Sequence, residues 1–213
     1  MEKGRGQRLN LFMSIRTNII EVMKMKVAAI VGSICKESYN MKLARYIQNR
    51  YKYFFQLEVL NIREILFYDQ DIKAALPQSV IDFKAKVAAT DAVLWVTPEY
   101  NSTIPGVMVN AIDWLSHVDR VMIRRPLWIV GSSIGLLGSI KRQGHLRDIP
   151  FVLRISSPLL PGNEVYMGLA HEKFDGKGEL TDEPTIRYLD LVVENFVKWM
   201  KEQTQLKGLQ ATK

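Results

Sequence analysis

Short apolar runs recur along this chain, and the stretches that follow them have a different residue pattern, that of helices. They lie at residues 27–31, 57–60, 92–96, 127–130 and, with Arg154 as an interruption, 151–155. Runs of this length that end in turn residues are typical of strands buried on both faces of a sheet. The intervening and final stretches predict helices at 41–53, 80–89, 107–117, 140–147 and 185–202.

The alternation of strands and helices predicts an α/β fold with a five-stranded parallel sheet, because parallel strands need crossover connections. A length of 213 residues suits one domain. We expect that domain at 26–203, after a flexible basic extension at 1–25 and before a C-terminal tail at 204–213. Ligands of such sheets bind at the carboxyl ends of the strands. The loops after strands one, three and four are therefore the candidate site.

Composition and charge exclude several classes of protein. No run of 18 apolar residues exists, so a transmembrane helix is not expected. The net charge is +7, but residues 1–26 hold six basic and two acidic side chains and account for +4 of it, so nucleic-acid binding is not predicted. The single cysteine, Cys35, cannot form a disulfide within the chain, so we expect a reducing compartment, the cytoplasm. His117, His145 and His171 lack metal-ligand spacing, so no metal site is predicted.

The loop after the first strand spans residues 32–40. It matches neither the dinucleotide-binding glycine pattern nor a Walker loop. Its hydroxyl groups and its free backbone N–H groups at a helix N-terminus would suit a phosphate dianion. Ordinary helix capping by Ser38 or Asn40 would also explain both residues, so the two interpretations remain open.

The loop after the third strand contains two prolines, Pro98 and Pro105. Because each proline fixes φ, the backbone amides near it are held rigidly, and this suits the edge of a planar heterocycle. A turn that merely starts a helix would explain Pro105 and Gly106. It would not explain Tyr100-Asn101.

Taken together, the motifs resemble those of the NADPH-dependent FMN reductase family. They are Gly32-Ser33 with Ser38 and Asn40, residues 66–71, Pro98-Glu99-Tyr100-Asn101, Ile104-Pro105-Gly106, and Asn110-Ala111-Ile112-Asp113-Trp114. The likeness runs from Lys26 to Met200, and it rests on several motifs in order. It implies a flavodoxin-like three-layer sandwich with strand order 2-1-3-4-5, FMN as cofactor and NAD(P)H as co-substrate.

The resemblance also implies which residues bind FMN. Ser33, Ser38 and Asn40 would hold the phosphate, Pro98, Glu99, Tyr100, Asn101 and Ser102 would line the ring system, and Ser132, Ser133 and Gly135 would close the site. Cys35 stands where the family usually has arginine, and Lys36 is the candidate to replace that charge. No catalytic side chain is predicted, because hydride transfer belongs to the cofactor.

The predicted function is hydride transfer from NAD(P)H through FMN to a small acceptor: a quinone, chromate, an azo dye or free flavin. The resemblance further implies a homodimer or homotetramer. Two alternatives remain open. One is a flavin-binding electron carrier without turnover. The other is a serine hydrolase, since residues 131–135 match G-x-S-x-G after a strand and would make Ser133 the nucleophile, with Asp148 and His171 as its partners.

Overall fold

The sheet has five parallel strands. A computed structural model describes residues 25–211, so residues 1–24 of the predicted extension lie outside the described chain. The strands are β1 (Lys26–Val31), β2 (Gln56–Leu60), β3 (Ala92–Val96), β4 (Leu127–Ser132) and β5 (Val165–Met167). Their order is β2-β1-β3-β4-β5, and every neighbouring pair is parallel. The predicted strand order is confirmed.

Six α-helices surround the sheet within the described residues. They are α1 (Tyr39–Arg50), α2 (Gln78–Ala88), α3 (Gly106–Ser116), α4 (Ile140–Asp148), α5 (Ala170–Lys173) and α6 (Glu183–Ala211). Two short 3₁₀ helices lie at Asp71–Ala74 and Ile149–Phe151. Across residues 25–211, we find no helix with the length and apolar character needed to cross a bilayer.

The sheet has a hydrophobic core on each face. Successive side chains of a strand point to opposite faces, so β1 sends Val27, Ala29 and Val31 to one core and Ala28 and Ile30 to the other. Helices α1 and α6 cover the first face, whereas α2, α3 and α4 cover the second. Burial on both faces explains why these strands are continuous apolar runs. The result is the predicted three-layer, flavodoxin-like sandwich.

The prediction of a fifth strand at 151–155 is wrong. That segment starts in the 3₁₀ helix Ile149–Phe151, in which Pro150 lacks an N–H for a ladder and holds φ near the helical value. The exposed fractions are large for Phe151 (76%), Val152 (51%) and Leu153 (81%). The fifth strand is instead Val165–Met167, which is too short to form a recognisable apolar run.

Helix ends also differ from the sequence prediction. Helix α1 ends at Arg50 rather than at 53. The Tyr51 N–H makes the last helical hydrogen bond, to the Ile47 carbonyl, and the chain then turns to reach β2 at Gln56. Helix α6 begins at Glu183 and continues to Ala211, so the described part of the predicted tail at 204–213 is helical.

Asp182 caps α6, and its role predicts an acid-dependent loss of stability. Its Oδ2 accepts hydrogen bonds from Lys173 Nζ at 2.8 Å and from Thr185 N at 3.0 Å. The bond from Lys173, supported by Thr185, lowers the pKa of Asp182 to about 2. Because an unfolded aspartate titrates near pH ~3.9, the stabilisation is present above about pH 4 and is lost as the pH falls through about 2.

We expect Asp182→Ala to lower the free energy of unfolding by about 1 kcal/mol at pH 7, the usual effect of losing an N-cap. This difference from the wild type should shrink as the pH falls from about 4 toward 2. Urea unfolding at several pH values measures it. Asp148→Ala removes an exposed carboxylate and is the control. Equal losses in both variants would contradict the capping role.

Candidate active site

The carboxyl ends of β1, β3 and β4 border one cavity of about 250 Å³. The predicted residues that line it are Ser33, Ser38, Asn40, Pro98, Glu99, Tyr100, Ser132 and Ser133. Lys36, Asn101, Ser102 and Gly135 were also predicted as cofactor ligands, but they do not line this cavity. Cys35, Glu37, Tyr39 and Ile134 line it although they were not predicted. Three loops that are distant in sequence therefore converge where the fold places ligands.

The loop after β1 ends in an N-terminus suited to an anion. Ser38 is the N-cap of α1, and its Oγ accepts a hydrogen bond from Met41 N at 3.1 Å. A hydroxyl that accepts in this way can still donate its own proton. The backbone N–H groups of Tyr39 and Asn40 have no hydrogen-bond acceptor within residues 25–211. Ser38 thus caps the helix and, with these two N–H groups, remains able to bind a phosphate.

Asn40 joins α1 to the end of β4. Its Nδ2 donates to Ser132 O at 2.9 Å, and its Oδ1 accepts from Ser132 N at 2.9 Å. The residue is only 3% exposed. Because the amide pairs at both ends with the Ser132 backbone, the side chain positions the two loops. Its second Nδ2–H and the backbone N–H of Asn40 remain able to donate to an anion.

Ser132 presents an unpaired hydroxyl beside the cavity. The residue is 1% exposed, and its Oγ has no hydrogen-bond partner among the described residues. A buried hydroxyl without a partner loses the hydrogen bonds that water would give it, at a cost of about 1–3 kcal/mol. Since Ser132 also lines the cavity, a polar ligand atom there would satisfy the hydroxyl. This orphaned group fits a cofactor rich in hydrogen-bonding atoms.

The loop after β3, residues 98–103, is named the ring loop here. Its tip is a tight turn in which Thr103 N donates to Tyr100 O at 2.9 Å. The two central residues, Asn101 (φ 49°) and Ser102 (φ 57°), are both left-handed. Such a conformation is uncommon for residues other than glycine, and in a loop at a ligand site it indicates a functional constraint. Tyr100 Oη lies 3.3 Å from Ser33 Oγ and so links the ring loop to the loop after β1.

Arg142 of α4 lies behind the ring loop and was not predicted. Its Nε donates to Thr103 O at 3.1 Å, and its guanidinium group forms an ion pair with Glu99. The side chain is fully buried, and this desolvation lowers the pKa of Arg142 to about 10, so the group stays protonated at neutral pH. A sequence signal did exist: Arg142 precedes the buried Leu146 by four residues and so shares its inward helix face.

A cation that the sequence did not indicate contacts the loop after β1, outside the lining of this cavity. Lys36, the predicted replacement for the family's arginine, is exposed and lies off the cavity. Arg63, in the loop after β2, donates from Nη2 to the Ile34 carbonyl next to Cys35. Because β2 neighbours β1 in the sheet, the loops after these two strands meet. Arg63 therefore brings positive charge to the loop in which Cys35 lies.

The hydrolase alternative has no support in the geometry. Ser133 Oγ accepts from Gly135 N at 3.1 Å, and Ser133 N donates to Met167 O at 2.9 Å. Within the described chain, no hydrogen bond joins Ser133 to a histidine, and His171 lies 3.4 Å from Glu172 instead. A nucleophilic serine needs such a base. The G-x-S-x-G match is thus part of the loop that follows β4.

The fold is a doubly wound parallel sheet, with a helix N-terminus suited to an anion after β1 and a rigid polar loop after β3. These features define a flavodoxin-like protein that binds a phosphorylated cofactor. A family model described as NADPH-dependent FMN reductase matches residues 25–172. The chain belongs to this family. It is accordingly a flavoprotein oxidoreductase with FMN as cofactor and NAD(P)H as electron donor.

Relatives of similar length support this assignment. The "NADH-dependent flavin reductase subunit 2" of Lactobacillus johnsonii is 37% identical over 184 residues, which cover 84% of this chain and 98% of the relative. The "2-hydroxy-1,4-benzoquinone reductase" of a Burkholderia species is 32% identical over 183 residues, or 85% and 99% of the two chains. Among solved structures, FerB, a flavoenzyme NAD(P)H:(acceptor) oxidoreductase from Paracoccus denitrificans, matches with a TM-score of 0.77 and 32% identity, covering 84% of this chain and 98% of that one.

Proposed function

We propose that this protein passes hydride from NAD(P)H, through FMN held in the cavity at β1, β3 and β4, to a small acceptor such as a quinone or free flavin. Chromate and azo dyes are further candidate acceptors. The observation that supports this site best is the convergence of a helix N-terminus with two unpaired backbone N–H groups and an orphaned Ser132 hydroxyl on one cavity. When bound, FMN supplies the redox chemistry, since its ring can accept a hydride and pass the electrons on.

The N-terminus of α1 would bind the phosphate group. The backbone N–H groups of Tyr39 and Asn40 would donate to its oxygens, together with the Ser38 hydroxyl. The helix dipole favours an anion at this position. Arg63, fixed on the Ile34 carbonyl, would add positive charge in place of the family's arginine. Lys36, which is exposed in the same loop, is the second candidate for that charge.

The ring loop and Ser132 would bind the ring system. Pro98 and the turn at Tyr100–Thr103 hold the backbone of the ring loop in one conformation, so its N–H groups need no reorganisation to donate. Donors fixed in this way stabilise negative charge that develops on a bound group. Ser132 Oγ would contribute one side-chain hydrogen bond from the end of β4.

The proposed active form is a homo-oligomer, either a dimer or a tetramer, in the cytoplasm. Three apolar side chains after β4 are exposed: Ile134 (64%), Leu136 (76%) and Leu137 (66%). Exposed apolar side chains grouped beside a binding site are typical of an interface, and a second copy of the chain would cover them. Light scattering of the protein as it elutes from a size-exclusion column measures the mass of the oligomer.

The proposed compartment is supported by Cys35, which is free and exposed and therefore suits a reducing environment.

Spectroscopy of the purified protein with FMN tests the proposed function. We expect flavin absorption that bleaches when NADH or NADPH is added without oxygen and returns when a quinone follows. Because nicotinamide and acceptor would use the same ring face in turn, ping-pong kinetics are expected. Flavin that binds but is not bleached would indicate the electron carrier instead, and a protein that never binds FMN would overturn the proposal.

Ser132→Ala tests the location of the site. Loss of one hydrogen bond to the cofactor, worth about 1.4 kcal/mol, should raise the dissociation constant of FMN about tenfold. Ser79→Ala, which removes an exposed hydroxyl from α2, should leave it unchanged. Quenching of FMN fluorescence measures both. Equal affinities in the two variants would place the cofactor elsewhere.

A further inference from the structure

We infer that Arg142 is a positioning residue for the flavin: it clamps the ring loop from behind and compensates the charge of Glu99 in the cavity wall. The inference rests on the proposed FMN site. Arg142 does not line the cavity, so it would act through the ring loop and not by touching the cofactor.

The clamp holds the ring loop at two points. One is the Glu99 carboxylate near the start of the loop, and the other is the Thr103 carbonyl at its end. One planar group serves both anchors, because Nε donates the hydrogen bond to Thr103 O and Nη2 forms the ion pair with Glu99. A lysine at this position would supply the same charge from a single nitrogen without the planar fork, so it should replace the arginine only in part.

The two anchors enclose the strained part of the loop. Asn101 and Ser102, both left-handed, lie between Glu99 and Thr103. Residues in such conformations persist only where the surroundings hold them there. Without the clamp, the turn would relax, and the N–H groups of the ring loop would lose their alignment with the ring.

The ion pair also sets the charge of the cavity wall. The Arg142 side chain is 0% exposed and the Glu99 side chain is 25% exposed, and Glu99 borders the cavity. Removal of the cation would leave a carboxylate without compensation beside an anionic cofactor. A buried charge that loses its partner is strongly unfavourable. The penalty would be larger for the reduced ring, which holds more negative charge, than for the oxidised one.

The first test compares Arg142→Met with Lys141→Met, which removes the same charge from an exposed position on the same helix. We expect Arg142→Met to raise the dissociation constant of oxidised FMN at least tenfold. The midpoint potential of the bound flavin should also fall, because reduced FMN should lose more affinity than oxidised FMN. Each factor of ten between the two losses lowers the potential by ~30 mV. Lys141→Met should change neither quantity, and Arg142→Lys should recover only part of the loss.

A double-mutant cycle tests the coupling to Glu99. Arg142→Met/Glu99→Gln removes the uncompensated carboxylate, so it should bind FMN more tightly than Arg142→Met alone. Additive effects on the dissociation constant would overturn the electrostatic part of the inference. If Arg142→Met does not fold, the double variant and Arg142→Lys supply the same comparison.

A purely structural role would give a different pattern. In that case Arg142→Met would lower the stability of the apoprotein in urea but would bind FMN with wild-type affinity and potential, and the inference would be wrong. The result for Ser132→Ala separates this from failure of the proposed site. If Ser132→Ala and Arg142→Met both bind FMN with wild-type affinity, the proposed site and the inference are both wrong. If only Arg142→Met keeps wild-type affinity, the proposed site stands and only the inference is wrong.

Discussion

Replacement of Asn40 with alanine is expected to weaken FMN binding at least tenfold and to lower the free energy of unfolding of the apoprotein by about 2–4 kcal/mol. The variant loses both hydrogen bonds to the Ser132 backbone. It leaves that N–H and carbonyl buried without partners, and each such group costs about 1–3 kcal/mol. The N-terminus of α1 would also no longer be fastened to β4, so the phosphate seat would shift relative to the Ser132 hydroxyl.

Asn49 offers a matched control for this prediction. It lies on the same helix but is exposed, so Asn49→Ala should leave both FMN affinity and stability close to the wild type. Asn40→Asp keeps the acceptor for Ser132 N but turns a carboxylate oxygen toward Ser132 O and adds negative charge beside the phosphate seat, so it should weaken FMN binding at least as much as Asn40→Ala. Urea unfolding and fluorescence titration measure the two effects. Indistinguishable values for the Asn40 and Asn49 variants would contradict this role of Asn40.

Gly131→Ala is expected to destabilise the fold severely. A Cβ at this position would overlap the Thr97 carbonyl oxygen and the Ser139 hydroxyl, well inside 3.0 Å of each. The carbonyl belongs to the backbone at the end of β3, so the clash is relieved only by separating β3 from β4. Overpacking of a rigid core costs about 1–3 kcal/mol and occasionally more, and we expect the upper end or beyond.

Gly144→Ala is the matched control, because an added Cβ there meets no atom within 4 Å. Gly144 lies in the exposed part of α4, where alanine favours the helix by about 1 kcal/mol over glycine. The same substitution should therefore stabilise the protein at 144 and severely destabilise it at 131. Thermal unfolding of the two variants measures the contrast. Wild-type stability of Gly131→Ala would show that β3 and β4 end differently from the arrangement described.

Three of the four strands that were predicted well share one physical property. Strands β1, β3 and β4 are buried on both faces, so an uninterrupted apolar run of four or five residues suits their surroundings. Strand β5 lies at the edge and has three residues, of which Tyr166 is 37% exposed. The exposed apolar run at 151–153 therefore matches the sequence pattern of a strand better than β5 does.

The candidate site divides in the same way. The positions of its loops follow from the fold, because the carboxyl ends of parallel strands meet at one edge. The partners of individual side chains do not follow from local sequence. Asn40 binds a backbone 92 residues away, Arg142 reaches Thr103 across 39 residues, and Arg63 reaches Ile34 across 29.

The sequence by itself therefore determined the parallel sheet and the three loops at its edge, because burial on both faces and turn chemistry are local demands that residue patterns express directly. Only the tertiary structure decided what the side chains in those loops do. It showed that the Asn40 amide fastens two loops as well as lining the cavity proposed for FMN. It also showed that Arg142 pairs with Glu99 behind the ring loop and that Arg63 donates to the Ile34 carbonyl in the loop after β1. Such contacts depend on which elements become neighbours in the sheet, and packing of the whole chain determines that.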